Sequence, residues 1–400
     1  MITKKTIDCI NAVFILLFII CAFLFTFLRE NETYSYYENR NLASMPVMTS
    51  EGMLDGTDFS AVETYLADHA PGRNTALKIR TWTDLYLLRR PVVNDTVILQ
   101  DEHILLPYTK HEYDADTLNP AWIGQGAKRI SETLAGHAEL TRSYGGYFCY
   151  IAVPCQYVCY EDAYPTYLNN RHTYTERSSE ALFTRLDEKN VPYIDLRAVY
   201  ESTGTLREYS STIDNHYSIQ GAFESYCVLL ETINHDTSLN LPVPTNEDFT
   251  LSQIENPYLG SRIRKLCGLW ESDEHLWKMT PNESLPYLRS IKGEPADGEV
   301  YALPNNDWQE VLYTAYMGGD LSESRIDTGR DELPDILIYG DSFTNALECV
   351  LWYSFDTMYS YDFRYYTGHT LDELIRKYQP DVVVCVRDYQ QLLLETGNGK

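Results

Sequence analysis

Two short stretches carry residue types that could do covalent chemistry. ILIY at 336–339 is an apolar run that stops at Gly340-Asp341-Ser342, and a helix-compatible stretch follows. Upstream, TIDNHYSIQGAF at 212–223 sets Asp214 and His216 two residues apart, with Ser218 placed to cap the helix that continues beyond it. A serine hydroxyl is a poor nucleophile until a base takes its proton. An imidazole can take it, and a carboxylate on the other ring nitrogen holds the tautomer and stabilises the imidazolium. Side chains two apart on a helix do not face each other, but in a loop at a helix start both can converge on one point. Each fragment alone has a bland reading: a turn at Asp214-Asn215 beside a solvated His216, and an ordinary strand end at Ser342. A metal-binding reading of Asp214 and His216 lacks a second His/carboxylate pair at matching spacing.

The elements around these fragments read as α/β. GYFCYIAVP (146–154) is a continuous apolar run ending in a turn, like a strand buried on both faces. A helical stretch at about 176–189 separates it from VPYIDL (191–196), and DILIYG and DVVVCV follow, the latter preceded by helical LDELIRKYQ. Such alternation predicts a mainly parallel sheet flanked by helices, with chemistry at the C-terminal ends of strands, where Ser342 stands. Helical periodicities over 59–66 and 74–89 precede it, broken by DHAPGR (68–73). The stretch at about 240–328 reads as an irregular insertion.

The N-terminal region is strongly patterned. Residues 9–28 are long and apolar enough to cross a bilayer, with Lys4 and Lys5 before them and mixed charges after them. Arg29-Glu30-Asn31-Glu32 follows directly, in place of a small-residue cleavage site. The expected order is a cytoplasmic tail (1–8), a transmembrane signal anchor (9–28), a stalk (29–58) and an exported domain (59–400). The net charge of −26, with no basic tract, disfavours nucleic acid. Thirty-three tyrosines suit carbohydrate contact as well as ordinary half-burial. Cys149, Cys155 and Cys159 cluster without histidines at ligand spacing, and no cofactor motif is present, so neither metal nor cofactor is expected. Pairing among the seven cysteines beyond the anchor is not decided by the sequence.

GDSF (340–343) and the D-x-H of 214–216 resemble the two catalytic blocks of SGNH-type esterases, with D-x-H first. That order, the single anchor and DNHYSIQGA resemble the DHHW family of bacterial envelope proteins and, more distantly, the alginate O-acetylation proteins AlgJ and AlgX. ENRNLASMP (38–46), DHAPGR, AYMGGD (315–320), YDFRYY (361–366) and QPDVVV (379–384) extend the likeness. Asn215 stands where the family name implies a first histidine, and Tyr217 where it implies tryptophan. The resemblance implies an SGNH-like fold with Ser342 as nucleophile, His216 as base then acid, and Asp214 as its orienting partner. An oxyanion hole would come from the Ser342 amide with Gly318, Gly319 or Asn345. It further implies a serine O-acetyltransferase acting on a cell-envelope or exported polysaccharide, supplied by a multi-spanning membrane O-acyltransferase. A carbohydrate acetylesterase with the same triad and a non-catalytic glycan-binding envelope protein are the alternatives.

Overall fold

Runs rich in β-branched and aromatic residues, YFCYIAV, ILIYG, TMYSY and VVVCVRD, form the central strands of the larger part of the molecule. The computed structural model describes residues 4–28, 32–108, 119–168 and 172–399. The chain divides into two units, one of Met1–Thr96 with Ile263–Glu271, the other of Val97–Arg262 with Ser272–Lys400.

The second unit is built on an eight-stranded sheet. In chain order its strands are β1 (Tyr147–Val153), β2 (Tyr193–Asp195), β3 (Leu288–Ile291), β4 (Glu294–Pro295), β5 (Glu323–Asp327), β6 (Ile336–Gly340), β7 (Thr357–Tyr361) and β8 (Val382–Asp388). The spatial order is β4-β3-β5-β7-β6-β8-β1-β2. From β7 to β2 every pairing is parallel, and from β4 to β7 every pairing is antiparallel. The sheet is therefore mixed rather than mainly parallel. The antiparallel arm comes from 288–327, within the stretch expected to be irregular, because short strands joined by turns can add to an exposed sheet edge without crossover helices. That stretch also holds an antiparallel pair, Phe249–Gln253 with Trp277–Pro281.

β6 and β8 are buried along their whole length, as continuous apolar runs in a covered parallel sheet must be. Each fully buried Val, Ile or Leu there contributes about 1.5–3 kcal/mol. Gly340 closes β6, where a Cβ would collide with the Val386 carbonyl of β8, so only glycine lets the two backbones approach at the site end of the sheet.

In the first unit, α1 (Lys4–Leu28) is followed by short helices and by α2 (Arg73–Trp82), which runs into a π-helical turn at Thr83–Leu87. Two quoted motifs meet here. Arg40 of ENRNLASMP pairs with Asp68 of DHAPGR, and Arg73 pairs with Glu38. The Arg40 hydrogen bonds hold the Asp68 carboxyl far below the usual carboxylate range, outweighing its partial burial. Among the described residues no helix is long and apolar enough to cross a membrane. The anchor expected at 9–28 lies partly outside that set, since the side chains of 22–28 are not described.

Four further helices of the second unit are α3 (Pro120–Ser143), α4 (His172–Glu188), α5 (Ile219–Asp236) and α6 (Thr344–Leu351). α3 packs on α4 and β1, and α5 packs on α6. α5 and α6 begin immediately after the two chemical fragments, so their packing brings those fragments together.

Candidate active site

Ser342 lies in the turn between β6 and α6. Asp341 shapes that turn: it is buried, and its Oδ1 accepts the Phe343 amide at 3.0 Å. The other fragment lies in the loop before α5, where Ser218 Oγ accepts the Gly221 amide and caps the helix as its sequence position predicts. Asp214 Oδ1 accepts the His216 backbone amide at 3.1 Å, so one short turn holds both side chains.

These residues form a continuous hydrogen-bonded line. His216 Nε2 is 2.7 Å from Ser342 Oγ, and His216 Nδ1 is 2.5 Å from Asp214 Oδ1. With Nδ1–H donating to the carboxylate, Nε2 is the acceptor facing the hydroxyl, the tautomer a general base requires. Asp214 is 2% exposed. Burial alone would raise its pKa, but His216, the Ser261 amide and the Arg262 charge outweigh it and hold the carboxyl well below the usual range. Asp214 therefore remains an anion beside the imidazole.

Several supporting residues carried no signal of their own in the sequence. The Ser261 amide donates to Asp214 Oδ2 at 2.5 Å, and Arg262 Nη2 donates to Asn215 Oδ1 at 3.2 Å. Both follow Gly260, where a Cβ would strike the Ile213 carbonyl, so glycine brings this strand of chain against the Asp214 turn. The Tyr313 ring stacks on His216 with centroids 3.9 Å apart and planes 8° apart, and Phe343 lies on the imidazole at 4.9 Å. Tyr217, standing in the tryptophan position, donates its hydroxyl to the Phe343 carbonyl at 2.8 Å. It thereby ties the residue after the histidine to the residue after the serine.

The oxyanion candidates part company. The Gly319 amide donates to the Tyr316 carbonyl, and Asn345, buried, donates one amide hydrogen to Asp320 Oδ1 at 3.1 Å. Arg364 grips Asp320 as well, so AYMGGD, YDFRYY and the first turn of α6 converge on one carboxylate. Of these candidates Gly319 therefore has its amide committed to the backbone, while Asn345 keeps a second amide hydrogen. At the neighbouring end of β8, Asp388 is buried, and its amide lies 3.4 Å from Asp341 Oδ2. Burial and the Asp341 carboxylate push the Asp388 carboxyl up to about 7.

Beside the imidazole opens a cavity of about 310 Å³, lined by Tyr160, Tyr217, Tyr258, Trp277, Tyr313 and Tyr316 together with Arg207, Glu274 and His216. Aromatic faces and a few charged groups in one concavity are the features of a small-molecule or sugar site. Among the described residues no cluster of three or more metal-ligating side chains occurs.

The comparison with known proteins agrees with the motifs. Residues 38–145 match the DHHW protein family model. The DHHW likeness is thereby shown, on a segment that holds the Arg40–Asp68 and Arg73–Glu38 pairs and ends before Asp214. Bacillus cereus PatB1, solved with a sulfonyl adduct, aligns with a TM-score of 0.61 at 18% identity, over 76% of this chain and all of that one. A DHHW family protein from Eubacterium siraeum aligns with a TM-score of 0.57 at 17% identity, over 77% of this chain and 95% of that one. These likenesses establish a shared mixed α/β fold around a large central sheet. The O-acetyltransferase domain of Pseudomonas putida AlgJ aligns over 75% of this chain and 93% of that one, with a TM-score of 0.46 at 16% identity, too remote to carry an argument. No curated protein sequence matches the chain.

Proposed function

We propose that the chain is a serine O-acetyltransferase acting on a cell-envelope or exported polysaccharide. The observation that carries this reading is the unbroken line Asp214–His216–Ser342, with 2.5 and 2.7 Å contacts on the two nitrogens of one ring. Ser342 Oγ attacks the carbonyl carbon of an acetyl donor while His216 Nε2 takes its proton. The oxyanion is met by the Ser342 amide and its neighbouring donors. Collapse breaks the bond to the donor oxygen, which leaves with the proton from His216, and the acetyl group stays on Ser342 as an ester. A sugar hydroxyl then gives its proton to His216 and attacks that ester, and the second collapse returns the proton to Ser342. Asp214 stabilises the imidazolium in both halves without becoming protonated.

The aromatic cavity beside His216 supports a sugar as acceptor, since tyrosine and tryptophan faces stack on pyranose C–H surfaces. A multi-spanning membrane O-acyltransferase would deliver acetyl groups, with residues 9–28 anchoring the chain and 1–8 in the cytoplasm. The charge asymmetry of Lys4 and Lys5 supports that orientation.

The test uses the purified full chain in detergent. An aryl sulfonyl fluoride should attach one sulfonyl group to the peptide containing Ser342, and His216→Ala should slow labelling by at least about a hundredfold. An activated acetyl ester is then offered with and without oligosaccharide. Acetylated sugar supports the transferase, acetate release indifferent to sugar makes the chain an esterase, and sugar binding without labelling leaves a glycan-binding protein.

A further inference from the structure

The large apolar side chains on the surface beyond α1 are unevenly shared between the two units. Among the described residues, 97–400 expose eight, whereas 34–88, a much shorter stretch, expose more. The densest group lies on α2 and the π-helical turn after it: Ile79 is 62% exposed, Trp82 50%, Tyr86 46%, Leu87 68% and Leu88 53%. Ile79, Trp82 and Tyr86 stand at the i, i+3, i+7 spacing of one helical face, whereas Leu87 does not. Leu88 N–H donates to the Thr83 carbonyl, five residues back, so this turn takes more residues per revolution than an α-helix and turns residues five apart closer to one face. Leu87 is thereby turned toward the side of Trp82, and the Trp82 and Tyr86 rings sit 6.0 Å apart. An α-helix would have rotated Leu87 to another face. The π turn makes one continuous apolar surface out of a sequence that an α-helix would divide.

The charge around this surface is opposite to that of the protein. The whole chain carries −26, yet 73–90 contains Arg73, Lys78, Arg80, Arg89 and Arg90 against a single acid, Asp84. Asp84 is buried and faces Arg80 at 3.9 Å and Arg90 at 3.1 Å, so its charge is already answered. Arg80 and Arg90 have side chains 73% and 55% exposed, and Arg89 is exposed too. A short helix with aliphatic side chains, an amphipathic Trp/Tyr pair and flanking arginines has the composition of a segment that lies in the interface of an anionic bilayer. A soluble acidic glycan offers counter-charges but nothing for Leu87 and Ile79 to enter.

We propose that α2 and its π turn form a membrane-docking surface, with Ile79, Trp82 and Leu87 entering the headgroup region of an anionic lipid leaflet and Arg80, Arg89 and Arg90 meeting its phosphates. This surface is independent of the acyl-transfer chemistry and of the anchor at 9–28. Its role is to hold the first unit flat on the bilayer rather than leave it on a free stalk.

The experiment reconstitutes the full chain into vesicles of zwitterionic lipid containing 30% phosphatidylglycerol, brominated high on the acyl chains, and measures tryptophan quenching. Wild type should lose part of its emission. Trp82→Phe, a change at a half-exposed ring that keeps the fold, should abolish that quenched component, and Leu87→Glu should reduce it several-fold with Trp82 in place. Quenching should also fall several-fold when phosphatidylglycerol is omitted or when Arg80 and Arg89 are both changed to Glu. Resistance to alkaline carbonate, measured in parallel, reports the anchor separately: quenching without resistance keeps the docking surface and removes the anchor. Equal quenching in wild type and Trp82→Phe overturns the proposal, as does a chain that fails to float with the vesicles.

Discussion

His216 is hydrogen-bonded to both Asp214 and Ser342, so its substitution and theirs should behave largely as one event. Ser342→Ala and His216→Ala should each remove nearly all acetyl release from an activated ester, and the double variant should be scarcely worse than either. Clear additivity in kcat/KM would mean that the two do not act together. Asp214→Ala should leave somewhat more activity, because orientation and charge stabilisation are lost but His216 can still take the proton. The buried Asp388 gives a different signature. A carboxyl raised from 3.8 to about 7 in the folded chain contributes its full stability below the ordinary value and loses it as pH rises through the folded one. Stability should therefore decline between those pH values. Asp388→Asn keeps an oxygen for the Gln390 and Gln391 amides. It should stabilise the protein by about 1–3 kcal/mol at pH 8 and by little at pH 4. Melting curves at the two pH values check this, and an equal effect at both would remove the titration argument.

Short elements position these residues. Gly260→Ala should lower stability by about 1–3 kcal/mol, because a methyl group against the Ile213 carbonyl overpacks a closed contact. It should also lower kcat, since Ser261 could no longer hold its amide on Asp214. Denaturant unfolding with steady-state kinetics reads both, and a stability loss with unchanged kcat would leave Gly260 only a packing role. Tyr217→Phe removes one buried hydrogen bond and strands the Phe343 carbonyl, costing about 1–3 kcal/mol. Its kcat should fall by more than its KM changes, because the tie runs between the two catalytic loops. Asp214, His216 and Ser342 were legible in the sequence because each sits where a strong apolar period begins or ends. Tyr313, Ser261 and Arg262 were not, since they come from 240–328, where periods are too short to read and partners are set by long-range contact. Residues 323–327 did alternate, buried at Ser324 and Ile326, but five residues give too little period to separate an edge strand from a loop. The oxyanion candidates could be named only as a set, because the sequence cannot say which amide, such as that of Gly319, is already committed.

At the scale of the whole molecule, the strong charge asymmetry across residues 9–28 leads to one further expectation. Protease added to intact cells should remove the chain from about residue 31 onward and spare Lys4 and Lys5, and complete protection would reverse the orientation. Four of the five parallel strands were readable as apolar runs, whereas β7 (TMYSY) and the division near residue 96 were not. Helices at 57–82 belong with the preceding segment rather than with the sheet, as ion pairs such as Arg73–Glu38 require. The strand order has a consequence in time. β8, the last strand of the sheet to be synthesised, lies between β6 and β1, with β1 made more than two hundred residues earlier. Until it arrives the nascent sheet has a gap at its centre, with two strand edges open to pairing with other chains. Until β8 is made, the D-x-H loop and Ser342 exist but have no common floor. The molecule should depend on holdase protection until β8 is made and become chemically competent in a single step when β8 inserts.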